Sequence, residues 1–277
     1  MNKQQLLQEL EKLGMRPGRG LGQNFLIDAN LLDWIVRRNT PQSGEVILEV
    51  GPGFGALTRK LLQNNACVTA IEYDHRIAEY LRNNLVSDHL TLIEQDACQV
   101  DYSALFPDSN FRAIANLPYA ISTVFIARML ELANPPREMF FMLQKEMGER
   151  LSAACGSKAY GALSVRCALA YDVKIEKIVP PEVFYPAPEV ESALVSFKLK
   201  DDRIRDSRVL KRCVGIIKAA FLQRRKQMGK VLASSYGKDL MAKAMEQTGL
   251  AWEIRPDKVT PEQFLQLAAV LEQLSQD

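Results

Sequence analysis

The feature that most constrains the fold is an alternation that begins near residue 46. Short apolar runs of β type, Val46–Val50, Val68–Tyr73, Leu90–Glu94, Arg112–Ala115 and Met139–Leu143, are separated by helical patterns such as Leu57–Asn64, Arg76–Asn84 and Val124–Leu132. Short strands alternating with helices of this length predict βαβ units and a mainly parallel sheet covered by helices. Two later runs, Val173–Val179 and Ala193–Leu199, have only the proline-rich stretch Pro180–Pro188 between them. They predict an antiparallel pair closing one edge. After about Lys200 the strand pattern stops, and Arg208–Leu222, Arg225–Ser234, Lys238–Thr248 and Pro261–Leu274 read as helices. The expectation is an α/β domain over residues 1–202, with an N-terminal helical arm over 1–40 inside it, followed by a small all-helical domain over 203–277.

With 277 residues, 47% hydrophobic and 25% charged, the chain can bury a core without disulfide or metal staples, and disordered or fibrous classes are excluded. The longest charge-free run lies between Arg112 and Arg128 and contains Asn116, Pro118 and Ser122, so it is too short and too polar to span a bilayer. Met1–Leu13 reads as an amphipathic helix carrying Glu9 and Glu11, unlike a secretory or transit signal. Cys67, Cys98, Cys155, Cys167 and Cys213 form no C-x-x-C pair and are accompanied by only two histidines, His75 and His89. Reduced thiols, a cytoplasmic location and no metal requirement follow as expectations. With no self-complementary apolar stripe in the sequence, the expected state is a monomer.

The net charge of +2 conceals an asymmetry. From Arg203 to Lys238 there are 11 Lys and Arg against one acid, Asp206. Such a segment in an otherwise acidic chain suits a polyanion-binding face, though a solvated helical face has the same composition. Its densest part, Arg224-Arg225-Lys226 with Lys230 beyond it, lies on or beside a predicted packed helix. Held rigidly there, it would bind phosphates with strong salt dependence.

The first strand runs into Glu49-Val50-Gly51-Pro52-Gly53-Phe54-Gly55 and then a helix. Glycines at this turn let a ligand approach the backbone, and the helix start supplies free N–H groups. The spacing is G-x-G-x-G rather than the dinucleotide G-x-G-x-x-G, and a ligand-free tight turn would look the same. Two later acids raise the signal. Glu72 ends the second strand, 21 residues after Gly51, where a carboxylate can accept from a ribose diol. Asp96 follows the third strand, where it can accept from an adenine amino group or simply cap a turn. Together they outline an adenosine site. No P-loop signature occurs and no second basic or glycine-rich element sits nearby for a pyrophosphate, which favours S-adenosylmethionine (SAM) over NAD.

Asn116-Leu117-Pro118-Tyr119 follows the fourth strand, at the edge where open α/β sheets carry their sites. The exocyclic amine of adenine is a poor nucleophile because its lone pair is delocalised into the ring. Two acceptors, the Asn116 side-chain oxygen and a carbonyl of Leu117-Pro118, would hold its hydrogens and aim a pyramidal nitrogen at a methyl sulfonium. Tyr119 can stack on an adenine turned out of its RNA stack, though a core tyrosine in a proline turn would have the same sequence.

These motifs, with Gln23-Asn24-Phe25-Leu26, resemble the ribosomal RNA adenine N6-dimethyltransferases, and within them the bacterial small-subunit branch. The resemblance spans nearly the whole chain and includes Phe141–Glu146, Ser157–Gly161, Phe184–Pro188 and Gln223–Lys226. It implies a Rossmann-like seven-stranded SAM-dependent methyltransferase sheet with a helical C-terminal rRNA-binding domain. It implies transfer of two methyl groups to each of two adjacent adenines near the 3′ end of small-subunit (16S) rRNA, in an assembling small ribosomal subunit. Residue by residue, Gln23, Asn24 and Leu26 would border SAM, Gly51 and Gly53 its methionine part, Glu72 the ribose and Asp96 the adenine. Asn116 would touch both SAM and the target amine, and Tyr119 and Phe184 would sandwich the target base. Arg19, Arg224, Arg225, Lys226 and Lys230 would meet RNA. Two positions depart from the family: Ala120 stands where an amide is usual, and Arg19-Gly20-Leu21-Gly22 holds one basic residue where two are common. The rival readings are the large-subunit resistance branch, a non-catalytic RNA-binding assembly factor and an NAD-dependent oxidoreductase.

Overall fold

A computed structural model describes residues 1–15, 23–108, 110–204 and 206–275. Nine strands form among them: β1 (Phe25–Leu26), β2 (Val46–Val50), β3 (Cys67–Glu72), β4 (Leu90–Glu94), β5 (Phe111–Asn116), β6 (Glu138–Gln144), β7 (Tyr171–Val179), β8 (Phe184–Tyr185) and β9 (Ser192–Leu199). Seven of them make one sheet in the order β4-β3-β2-β5-β6-β9-β7. The pairs β2–β3, β3–β4, β2–β5 and β5–β6 are parallel, and β6–β9 is antiparallel. The seven runs expected from sequence are the seven strands of this sheet, and β9 and β7 lie side by side at one edge. The central strands are nearly continuous in Val, Ile, Leu, Phe and Ala because helices cover both faces of a parallel sheet. Ile47, Leu48, Ala70 and Ile114 are almost fully buried as a result.

The chain divides into two compact units, residues 1–148 with 174–198, and residues 149–173 with 199–277. In the first unit the helices are α1 (Lys3–Lys12), α2 (Ala29–Asn39), α3 (Ala56–Gln63), α4 (His75–Asn84), α5 (Tyr102–Leu105) and α6 (Ser122–Met129). Their starts follow from side-chain caps: Asn2 and Gln5 form a capping box on α1, Asp28 caps α2 and Asp74 caps α4. Helix α1 packs Leu6 and Leu10 against Phe54, Ile77 and Tyr80. The short pair β1–β8 couples Phe25 to Tyr185 and Leu26 to Phe184.

After α7 (Lys145–Leu151), the second unit contains α8 (Ala162–Ala170), α9 (Ser207–Leu222), α10 (Met228–Tyr236), α11 (Lys238–Gln247) and α12 (Pro261–Leu274). Its core joins Tyr160 and Val165 to Cys213, Ile216, Phe264 and Leu267. That shared core is why residues 149–173, which the sequence reading leaves in the first domain, cluster with the C-terminal helices. One further difference concerns the basic triplet. Residues 223–227 form a turn between α9 and α10, so Arg224-Arg225-Lys226 does not lie on a helix.

Candidate active site

Strand β2 is the switch point of the sheet, with β3 on one side and β5 on the other. Ligands in open α/β sheets bind in the crevice outside the carboxyl ends of such strands. The registers align those ends: Val50 is opposite Ile71, Glu72 opposite Glu94, and Asn116 opposite Met142. A cavity opens there. Gln23, Asn24, Leu26, Gly51, Gly53, Glu72, Asp96, Asn116, Leu117, Pro118 and Tyr119 all line it.

The glycine turn fits by necessity. Gly51 and Gly53 have φ of +68° and +54°, a region other residues enter at a cost. A Cβ at Gly51 would sit 2.8 Å from Pro118 Cγ, and one at Gly53 would sit 3.0 Å from the Phe25 ring. The turn and the Asn116–Tyr119 loop are therefore packed directly on each other. The Gly53 N–H donates to Glu72 Oε2 at 3.3 Å, and the N–H groups of Tyr73 and Asp74 both donate to Glu72 Oε1 at 2.9 Å. Burial pushes the Glu72 carboxyl up, and those three donors oppose it by favouring the charged form. Asp96 accepts from Cys98 N–H at 2.8 Å and from Gln99 Nε2 at 3.0 Å.

The segment around β1 is tied into the same site. Gln23 Nε2 donates to Asp74 Oδ2 at 3.4 Å, and Asn116 Nδ2 donates to the Asn24 carbonyl at 2.9 Å. That second bond commits the amide nitrogen of Asn116 and turns its oxygen the other way, as an acceptor. The Pro118 carbonyl accepts from Ile121 N–H at 3.2 Å, and the Tyr119 carbonyl accepts from Ser122 Oγ at 3.1 Å. Burial raises the Tyr119 phenol, which stays protonated and shares a 2.5 Å hydrogen bond with Ser192 Oγ.

Four acids line the cavity, Glu49, Glu72, Asp74 and Asp96, and no Lys or Arg side chain does so among the described residues. This acidic, acceptor-rich lining fits SAM, whose sulfonium and ammonium are cationic, and it does not fit a pyrophosphate. Glu49 stands out among residues the motif reading did not use. It is 2% exposed, its Oε2 has no hydrogen-bond partner among the described residues, and burial, reinforced by the nearby Glu72 carboxylate, pushes it up to about 8. The signal for it was its place two residues before Gly51, where the turn begins. Phe54, Tyr73 and Asp74 also line the cavity and were not singled out.

Phe184 is not brought to the cavity. It is 2% exposed, opposite Leu26 in the β1–β8 pair, and packed with Leu26 and Ile35 in a core cluster. Arg19 lies outside the described residues. In the second unit, Arg225, Lys226 and Lys230 are exposed. Arg224 is engaged inside that unit, donating to the carbonyls of Lys158 at 2.9 Å and Ser157 at 3.1 Å.

Residues 17–273 match the family described as ribosomal RNA adenine dimethylase. The ribosomal RNA small subunit methyltransferase A of Magnetococcus marinus is 40% identical over 94% of this chain and 93% of its own length. The protein of the same description from Leifsonia xyli is 38% identical over 94% of both chains. Among solved structures, a dimethyladenosine transferase from Plasmodium falciparum superposes with a TM-score of 0.76 at 23% identity, covering 88% of this chain and 95% of the other. The 23S rRNA methyltransferase ErmE gives 0.68 at 24%, covering 90% and 100%. At these identities the two structures speak to the fold alone.

Proposed function

Because the chain belongs to the ribosomal RNA adenine dimethylase family, we propose that it dimethylates N6 of two adjacent adenines near the 3′ end of small-subunit rRNA, using SAM, in the assembling subunit. The observation that carries this reading is the convergence of eleven motif residues on one acidic cavity at the carboxyl edge of the sheet. The substrate assignment is supported by relatives described as small subunit methyltransferase A at 33–40% identity.

Bound SAM supplies an electrophilic methyl group on a sulfonium. The protein's part is positioning. Asn116 Oδ1, held outward by the Asn24 bond, accepts one hydrogen of the target amine. The Leu117 carbonyl is the second acceptor, since the neighbouring Pro118 carbonyl already closes the turn onto Ile121. With its hydrogens held, two in the first transfer and the one that remains in the second, the amine lone pair is released from the ring and aimed at the methyl carbon. Each transfer breaks the S–CH3 bond, leaves S-adenosylhomocysteine and releases one amine proton to solvent, and the positioning is worth several orders of magnitude without a general base. Tyr119, locked by Ser192, offers a fixed face for the base. Phe184 would supply a second face only after its ring leaves the core position it occupies here. We assign RNA contact to Arg225, Lys226 and Lys230 of the second unit, and treat Arg224 as a strut that holds the 157–160 segment. A monomer in the cytoplasm completes the reading.

The test is transfer of labelled methyl groups to small subunits that lack adenine dimethylation, with large-subunit RNA as control. The expected product is dimethyladenine at two adjacent positions near the 3′ end of the small-subunit rRNA. Label on large-subunit RNA alone would move the protein to the resistance branch. SAM binding with no label on either would make it an assembly factor.

A further inference from the structure

The loop that carries Asp96 has no regular structure between β4 and α5, so the backbone carbonyls that its one turn bond, Gln99 N–H to the Asp96 carbonyl, does not take need partners from elsewhere. Two side chains supply them. Arg128, in the last turn of α6, donates from Nη1 to the Cys98 carbonyl and from Nη2 to the Val100 carbonyl at 2.8 Å. The buried Tyr102 hydroxyl donates to the Ala97 carbonyl at 2.8 Å. The two donors support each other, since the Arg128 guanidinium lies 6.0 Å from the centre of the Tyr102 ring. Three carbonyls within four residues are thus held from one side. The Cys98 N–H is left pointing at Asp96 Oδ1, 2.8 Å away.

We infer that Arg128 is a positioning residue for the adenine end of the cosubstrate site. It acts through the Cys98–Gln99 peptide: its guanidinium fixes the Cys98 carbonyl and with it the Gln99 N–H on the opposite side of the same peptide plane, and that N–H donates to the Asp96 main-chain carbonyl at 2.8 Å. Tyr102 fixes the neighbouring Ala97–Cys98 peptide, whose Cys98 N–H donates to the Asp96 carboxylate. A planar guanidinium fork suits the task, and a lysine ammonium cannot span both carbonyls with the same geometry. Helix α6 begins just after the Asn116–Tyr119 loop, so one short helix joins the target-amine loop at its start to the adenine loop at its end.

The inference rests on Asp96 as the adenine acceptor, and the experiment separates the two. SAM and 5′-methylthioadenosine, which keeps the adenine and ribose but lacks the amino-acid part, are titrated into the wild type, Arg128→Met and Arg128→Lys. Failure of the wild type to bind either would overturn the SAM reading itself. Arg128→Met should weaken both ligands by roughly tenfold, a fraction of what a 1 Å misplacement can cost. It should raise the KM for SAM and leave kcat at saturating SAM within about twofold of the wild type. Arg128→Lys should recover only part of the loss. Wild-type affinity for both ligands in a folded Arg128→Met variant would refute the inference, and so would a fall in kcat with unchanged affinity. If that variant does not fold, Tyr102→Phe decides, because it removes only the bond to the Ala97 carbonyl. Weaker 5′-methylthioadenosine binding supports the clamp, and unchanged binding overturns it.

Discussion

Glu49 makes a quantitative test of the cavity's electrostatics. It sits at the end of β2, 2% exposed, with one carboxylate oxygen unpartnered among the described residues and Glu72 nearby. Burial lifts its ionisation from 4.5 to about 8. The unfolded chain therefore releases this proton several pH units before the folded protein does. Between those two values the folded state binds more protons than the unfolded state, so stability falls as pH rises and levels off above about pH 8. At 1.36 kcal/mol per pKa unit, the loss attributable to Glu49 between pH 5 and pH 7 is about 2–3 kcal/mol. Glu49→Gln keeps the shape and removes the titration. Urea unfolding of both proteins in a Trp252→Phe background, followed by the fluorescence of Trp34, reports the first unit, where Trp34 contacts Phe140. Subtracting one stability curve from the other removes the titration common to both, the raised Glu72 included. The variant should gain on the wild type steadily from pH 5 to pH 8. A difference that stays flat over that range would show that Glu49 ionises at its ordinary value in the folded protein, and the argument from its burial would fail.

Asn116→Ala should lower kcat by at least about a hundredfold while the protein stays folded and still binds the subunit, because it deletes an acceptor for the amine hydrogens; turnover within a few-fold of the wild type would sink the amine-holding mechanism. Gly51→Ala forces a Cβ to 2.8 Å from Pro118 at φ +68°. It should destabilise the fold by about 1–2 kcal/mol and weaken SAM binding in calorimetry, and unchanged values for both would contradict the packed contact between the two loops. Arg225→Glu should weaken subunit binding and flatten its dependence on salt; an unchanged slope in filter binding would make the basic turn a solvated surface only.

The parts of the fold that were legible are those where one local pattern decides the outcome. Val46–Val50 and Leu90–Glu94 read to the residue, because each is a short apolar run ended by a turn or helix signal within the next few positions. The glycine turn, Glu72, Asp96 and Asn116 were legible for the same reason: each ends a strand or closely follows one, and parallel registry carries strand ends to a common edge. The pair β1–β8 was not legible. It joins residues more than 150 positions apart through two residues on each side, too few to show a period. Arg225 and Lys226 read as a helix start because Lys and Arg are good helix formers, yet helix α9 ends at Leu222 and α10 begins only at Met228. Arg224 then turns back to bond the carbonyls of Ser157 and Lys158. Those bonds are invisible in a composition count, which scores Arg224 and Arg225 alike.

The same distinction separates residues that touch a ligand from residues that hold the ones that do. A carboxylate after a strand declares itself by position, whereas Arg128 declares nothing: it is one of many arginines on a helix, and its partners are main-chain carbonyls that any residue type could supply. Phe184 is the converse case. Its motif marks it as a stacking partner, but the fold spends its ring on the core beside Leu26. Both uses are compatible only if the base-binding conformation exposes that ring, at a transfer cost of roughly 1.5–3 kcal/mol for a Phe side chain. Stacking on the incoming adenine returns a comparable amount. The exchange is then nearly balanced, so that an absent base leaves the ring in the core and a flipped base can draw it out.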